Sequence, residues 1–230
     1  DEVAARWVRL FPPRGHGDAA AENKRQHLLE NPDRLATLRL RLGSLSWLMR
    51  CLVEPIARRA NREDACKGRF WEGRYKCQAL CDVRAVLAAM AYVDLNPIRA
   101  GMADRLDTSE HTSIAKRTAQ LRTDRTQATS PLKPTAGSLR PVIDITNAEY
   151  LQILDWTGRQ LAPGKRGRIS QHAPGILKIF DHDAKHWTTR VAAFGGGWYR
   201  IAGSAQDLIA WAERLGQQWL KGIRLALTLG

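Results

Sequence analysis

With 230 residues, 44% of them hydrophobic and 26% charged, the chain is long enough to bury a core and suits one large or two small domains. A formal net charge of +13 and a pI near 10.2 point to an anionic partner, nucleic acid ahead of a membrane surface, against the plainer reading of an ordinary basic surface. No apolar run approaches the length of a membrane span, no signal peptide is visible, and four cysteines without paired Cys-x-x-Cys spacing read as reduced thiols rather than a zinc site.

In chain order, residues 1–11 read as a short amphipathic helix with Val3, Trp7, Leu10 and Phe11 on one side, stopped by Pro12-Pro13. A second helix over about 19–30 ends before Asn31-Pro32. Asp33 can cap a third through Leu42, and Gly43 interrupts it. Ser44 then caps a longer helix with the stripe Leu45, Leu48, Met49, Leu52 and Ile56, in which Pro55 should cause a kink. Its end gathers Arg58, Arg59, Arg62, Lys67 and Arg69, either as a solvated helix end or as part of a patch for a DNA backbone.

From Phe70 the pattern changes to period two. Trp71, Gly73, Tyr75, Cys77 and Ala79 alternate with Glu72, Arg74, Lys76 and Gln78, which predicts a half-buried strand with Tyr75 and Cys77 in the core. From Asp82, a plausible N-cap, the pattern is helical, with an apolar stripe of Val83, Val86, Leu87, Met90 and Val93. Pro97 should end that helix by pushing Asn96 out of helical geometry. The opposite face carries Ala85, Ala88, Ala89, Tyr92 and Asn96, a phenol and an amide one turn apart among small residues. Spacing alone leaves two readings: a half-buried Tyr with Asn96 as a cap, or a phenol accessible to a substrate.

Beyond a turn-rich exit at 107–113 and a basic segment to about Arg125, the Thr-, Ser-, Pro- and Lys-rich stretch 126–142 reads as a linker. A small helical domain, 143–230, should follow. Asn147 would cap a helix bearing Tyr150, Leu151, Ile153, Leu154 and Trp156. The basic loop 164–168 lacks P-loop spacing. Further helices are expected over 172–180 and 184–194, with Gly195-Gly196-Gly197 breaking the chain and Ser204 capping a last stripe of Leu208, Ala212, Leu215 and Trp219. His182 and His186 have helical metal spacing but no evident third ligand.

The strings FWEGRYK, AMAYVDLNPIRAGM and SEHTSI, in that order, resemble the HUH-class single-strand transposases, specifically the REP-associated tyrosine transposases. The similarity is strongest over 70–113 and extends to DEVAARWVRLFPP and EYLQILDWTGR. It implies that Tyr92, in the setting Tyr-x-x-x-Asn-Pro, attacks DNA to form a 5′-phosphotyrosine and release a 3′-hydroxyl. It implies a divalent cation, Mg²⁺ or Mn²⁺, with Asn96 as one ligand, because a phenol with a pKa near 10 is a weak nucleophile. Arg69, Arg74, Lys76 and Arg99 would hold single-stranded or hairpin DNA.

The family's His-hydrophobic-His pair is absent: no two histidines stand two apart. The expectation is therefore a partial HUH-type catalytic domain over 1–125, α+β but mostly helical as given, from a ferredoxin-like fold, in a truncated chain inactive by itself. The protein would be cytoplasmic, at the bacterial nucleoid, without a membrane partner, and a monomer or dimer. Two alternatives are a non-catalytic DNA-binding remnant and a structural helical protein serving RNA, for which no motif is present.

Overall fold

The computed structural model describes residues 1–14, 17–132, 143–161, 184–198 and 200–230. The chain divides into two compact units, Asp1–Lys76 and Cys77–Gly230. Its regular structure is almost entirely helical, with eleven α-helices and two two-residue strands among the described residues.

The first unit packs α1 (Glu2–Leu10), α2 (Asp18–Leu29), α3 (Pro32–Leu42) and α4 (Leu45–Glu63). Its core is Ala4, Trp7, Val8, Leu28 and Leu38, with Phe11 and Trp47 packed against it. The three aromatic rings lie 4.4 to 6.0 Å apart in tilted and edge-on arrangements. Ser44 caps α4 as expected, its Oγ accepting from the Trp47 amide at 3.3 Å. The cap of α3 is Asn31 rather than Asp33: the Asn31 side chain accepts from the Arg34 amide, and Pro32 sits in the first turn where its missing N–H costs nothing. The expected apolar stripe of α4 is not core. Leu45, Leu48, Leu52 and Ile56 are all exposed, and α4 reaches its unit's core mainly through Trp47.

The expected strand over 69–80 forms only at its end. β1 is Ala79–Leu80, paired in parallel with β2, Ile201–Ala202. Period-two alternation becomes a strand only where a neighbour completes the ladder, and among the described residues none lies beside 70–78. Side chains tie this stretch to α4 instead: Trp71 Nε1 donates to the Val53 carbonyl at 3.1 Å, and the Tyr75 and Ser46 hydroxyls are hydrogen-bonded at 2.9 Å. Tyr75 and Cys77 are therefore exposed, not core.

The second unit holds α5 (Val83–Asp94), α6 (Asn96–Arg99), α7 (Ser113–Thr123), α8 (Asn147–Leu161), α9 (Ala184–Ala193), α10 (Ala205–Arg214) and α11 (Ile223–Thr228). Asp82 caps α5, accepting from the Ala85 amide at 2.6 Å. The buried face of α5, however, is Ala85, Leu87, Ala88, Ala91 and Asp94, while Val83 and Val93 of the expected stripe are exposed. Alanines let α9 and α8 approach closely, and Leu87, Leu95, Ile114, Ile153, Leu154 and Val191 fill one core around them. Each such side chain contributes about 1.5–3 kcal/mol by leaving water. A second cluster joins Ala85 to Trp198, Ile201, Leu208, Leu220 and Leu229.

The described part of the expected linker is tied down. The Leu132 amide donates to the Ile145 carbonyl at 2.8 Å, and Asn147 Nδ2 donates to the Gln127 carbonyl at 3.0 Å. Helices on both sides of it share one core, so the chain's division into units falls at Lys76/Cys77. Residues 133–142, the basic loop at 164–168, the helix expected over 172–180 and His182 lie outside the described residues. Thr146 rather than Asn147 caps α8: its Oγ1 accepts from the Glu149 amide, and the Glu149 carboxylate accepts from the Thr146 amide at 2.7 Å. Ser204 and Asp207 form the same reciprocal pair at α10. Leu208 and Ala212 are buried there, while Leu215 and Trp219 lie past the helix end and are exposed.

Candidate functional site

Tyr92 sits on α5 with its ring half-buried at the edge of the core. Phe194 faces it at 6.0 Å between ring centroids, and the Arg99 guanidinium lies over the ring at 4.4 Å. A cation on the ring face is attracted by the aromatic quadrupole. The two residues meet because the chain barely leaves helical geometry between them. Leu95, at φ −89° and ψ −2°, joins α5 to the single turn of α6. Asn96 is thus not expelled from the helix as expected; it opens α6, with Pro97 in its first turn.

The turn after α9 completes the surroundings. The Gly195 amide donates to the Ala192 carbonyl at 3.0 Å. A methyl group at Gly195 would lie 3.8 Å from Tyr92 Oη, 3.5 Å from Arg99 Nη2 and 3.2 Å from the Ala192 oxygen. The phenol oxygen and the guanidinium thus lie together beside Gly195, which is exposed. Asn96 is exposed. The structure brings Tyr92 and Arg99 together, and it adds Phe194 and Gly195, which are distant in the chain and were not legible from the sequence as neighbours of Tyr92.

Arg69, Arg74 and Lys76 lie in the first unit, all exposed along the irregular stretch after α4. Cys81 is an unsuitable nucleophile: burial pushes its thiol up, and the charge of Asp207 adds to this.

A neighbour of Tyr92 that the sequence reading passed over is Asp94. It is 3% exposed and accepts from Ser113 Oγ at 2.9 Å to both oxygens, from the Ile114 amide at 3.3 Å and from Tyr150 Oη at 2.7 Å. A buried carboxylate needs such a set of donors, and the start of α7 adds the positive end of a helix dipole. Burial, then the charge and hydrogen bond of Asp94, push the Tyr150 hydroxyl well above the usual phenol range. Asp94 and Ser113, both within the strings that carry the family resemblance, thus hold α5, α7 and α8 together.

Asn96 offers a metal one neutral oxygen. Hard divalent cations take six or more oxygen ligands, carboxylates among them. Among the described residues no group of three or more His, Cys, Asp or Glu side chains is arranged to hold a metal ion. Asn96 and the other described residues do not make up the donor set of a Mg²⁺ or Mn²⁺ site. Among the same residues no helix is long and apolar enough to cross a membrane. Compared with known proteins, the chain matches no family model, no curated protein and no solved structure.

Proposed function

We propose that this chain belongs to a DNA transposase of the tyrosine, single-strand class, whose α+β catalytic domain is of the ferredoxin-like kind, and that Tyr92 is its nucleophile. The observation that carries the reading is the arrangement of Tyr92: a half-buried ring beneath Arg99, its hydroxyl beside the exposed Gly195. Tyr92 Oη would attack a phosphodiester phosphorus, lose its proton and become joined to the 5′ phosphate. The displaced 3′ oxygen takes up a proton as the new strand end. Because the phosphotyrosine keeps the bond energy of the broken link, a 3′-hydroxyl can reverse the step and rejoin DNA. Arg99 would hold the phosphate beside the ring, while Arg69, Arg74 and Lys76 bind backbone elsewhere on the strand. The divalent cation of such chemistry would take more ligands than Asn96 supplies. The protein would work at the bacterial nucleoid.

Binding tests the first half of this reading. Single-stranded hairpin DNA should bind more tightly than duplex of the same length, with affinity falling as salt rises by a slope of about −0.7 per phosphate contact. Equal affinity for both, without salt dependence, would contradict it. A non-catalytic DNA-binding protein is the alternative, favoured by the incomplete donor set at Asn96. It predicts the same binding and no covalent product.

A further inference from the structure

The first unit carries an open groove of about 620 Å³ between the chain following α1, the end of α3 and one face of α4; of its lining, only Arg58 and Arg62 belong to the basic helix end noted in the sequence. Phe11 and Trp47 contribute its apolar floor, and Arg41, Arg50, Arg58 and Arg62 its cations. Positions 50, 54, 58 and 62 are four residues apart and so share one face of α4. At 1.5 Å of rise per residue, successive members stand about 6 Å apart along the helix.

One carboxylate, Glu54, answers these four guanidiniums. It pairs with Arg50 at 3.5 Å and with Arg58. The Trp47 ring holds two of the cations in place, with Arg41 5.1 Å and Arg50 5.9 Å from its centroid. Guanidiniums held this way lose less freedom on gripping a ligand, and their planar forks suit phosphate oxygens. Excess positive charge at helical spacing over an aromatic floor, in a groove of nucleotide size, matches a chain of phosphates that also carries flat apolar groups. An acidic peptide would satisfy the charge but not the floor.

We propose that this groove binds single-stranded nucleic acid, as a site separate from the Arg69, Arg74 and Lys76 stretch and from Tyr92. The proposal extends the nucleic-acid reading and rests on it for the identity of the partner. It gives the strand a second hold, on the first unit.

The test uses the whole chain and a fluorescein-labelled oligothymidylate, followed by anisotropy across a salt series. The double variant Arg58→Ala/Arg62→Ala removes two exposed side chains from the groove. It should weaken binding at least about tenfold at low salt and make the salt slope shallower by about 1.4, two contacts' worth. Arg41→Ala should weaken binding in the same direction from the opposite wall. Arg34→Ala/Arg39→Ala, equal in charge removed and exposed on α3, should stay within about twofold of the wild type.

Equal losses from the groove pair and the α3 pair would overturn the proposal, leaving only a general field. So would a groove variant that binds as the wild type does. Loss confined to Arg74→Ala/Lys76→Ala would overturn the groove alone and leave the nucleic-acid reading standing, whereas no oligonucleotide binding by the wild type would sink both. An oligoglutamate that displaces the oligothymidylate at equal charge concentration would also refute the groove, as an unselective polyanion surface.

Discussion

At Tyr92 the ring is shared between Phe194 and the Arg99 guanidinium, and the hydroxyl end lies beside Gly195. Removing that hydroxyl leaves the packing intact, so Tyr92→Phe should alter stability by no more than about 0.5 kcal/mol. Tyr150 is the opposite case, a phenol with no exposure whose proton is held by Asp94. Its folded pKa is raised above the ordinary 10 by burial first. The stability this gives is fully present below pH 10 and is lost as pH rises beyond it, because the unfolded chain then releases a proton that the folded chain retains. Urea unfolding from pH 8 to 11 should show this alkaline loss in the wild type and a smaller one in Tyr150→Phe. That variant should start about 1–3 kcal/mol less stable, since Asp94 loses a buried donor. An identical alkaline slope in both would remove Tyr150 from the account.

Among the elements, what could be read from sequence was what local chemistry decides. Ser44, Asp82 and Ser204 cap helices where their side chains reach an amide three residues ahead, and the mostly helical character follows from such signals. What could not be read depended on a partner. FWEGRYK alternates as a strand does, but without a neighbouring ladder its residues 70–78 stay irregular. Of the expected α5 stripe, Leu87 is buried and Val86 and Met90 pack against the core, while Val83 and Val93 are exposed and the alanines Ala85, Ala88 and Ala91 are buried in their place. Asp94 was hidden because a charged residue near a helix end ordinarily faces water; its partners come from 19 to 56 residues further along. The glycine before α11 shows the same dependence. Gly222 has φ +111°, and a methyl group there would stand 2.8 Å from the Trp198 ring. Gly222→Ala should therefore cost at least about 2 kcal/mol through strain and overpacking. Chemical denaturation measures it, and a neutral effect would mean that Trp198 and α11 pack differently.

For the whole molecule, the charge of +13 sets the expectation that DNA binding is mainly electrostatic. Replacing Arg74 and Lys76 with alanine should reduce the magnitude of the salt slope by about 1.4, and an unchanged slope would place the DNA elsewhere. The claim that Tyr92 is the nucleophile is tested most directly by a covalent product. Protein expressed from the complete reading frame that encodes these 230 residues is incubated with single-stranded hairpin DNA and Mg²⁺ or Mn²⁺, then denatured and resolved on a gel. The account predicts a protein–DNA adduct that survives denaturation, persists in Tyr75→Phe and disappears in Tyr92→Phe while DNA binding stays within about twofold. An adduct that persists in Tyr92→Phe, or disappears in Tyr75→Phe alone, would contradict it.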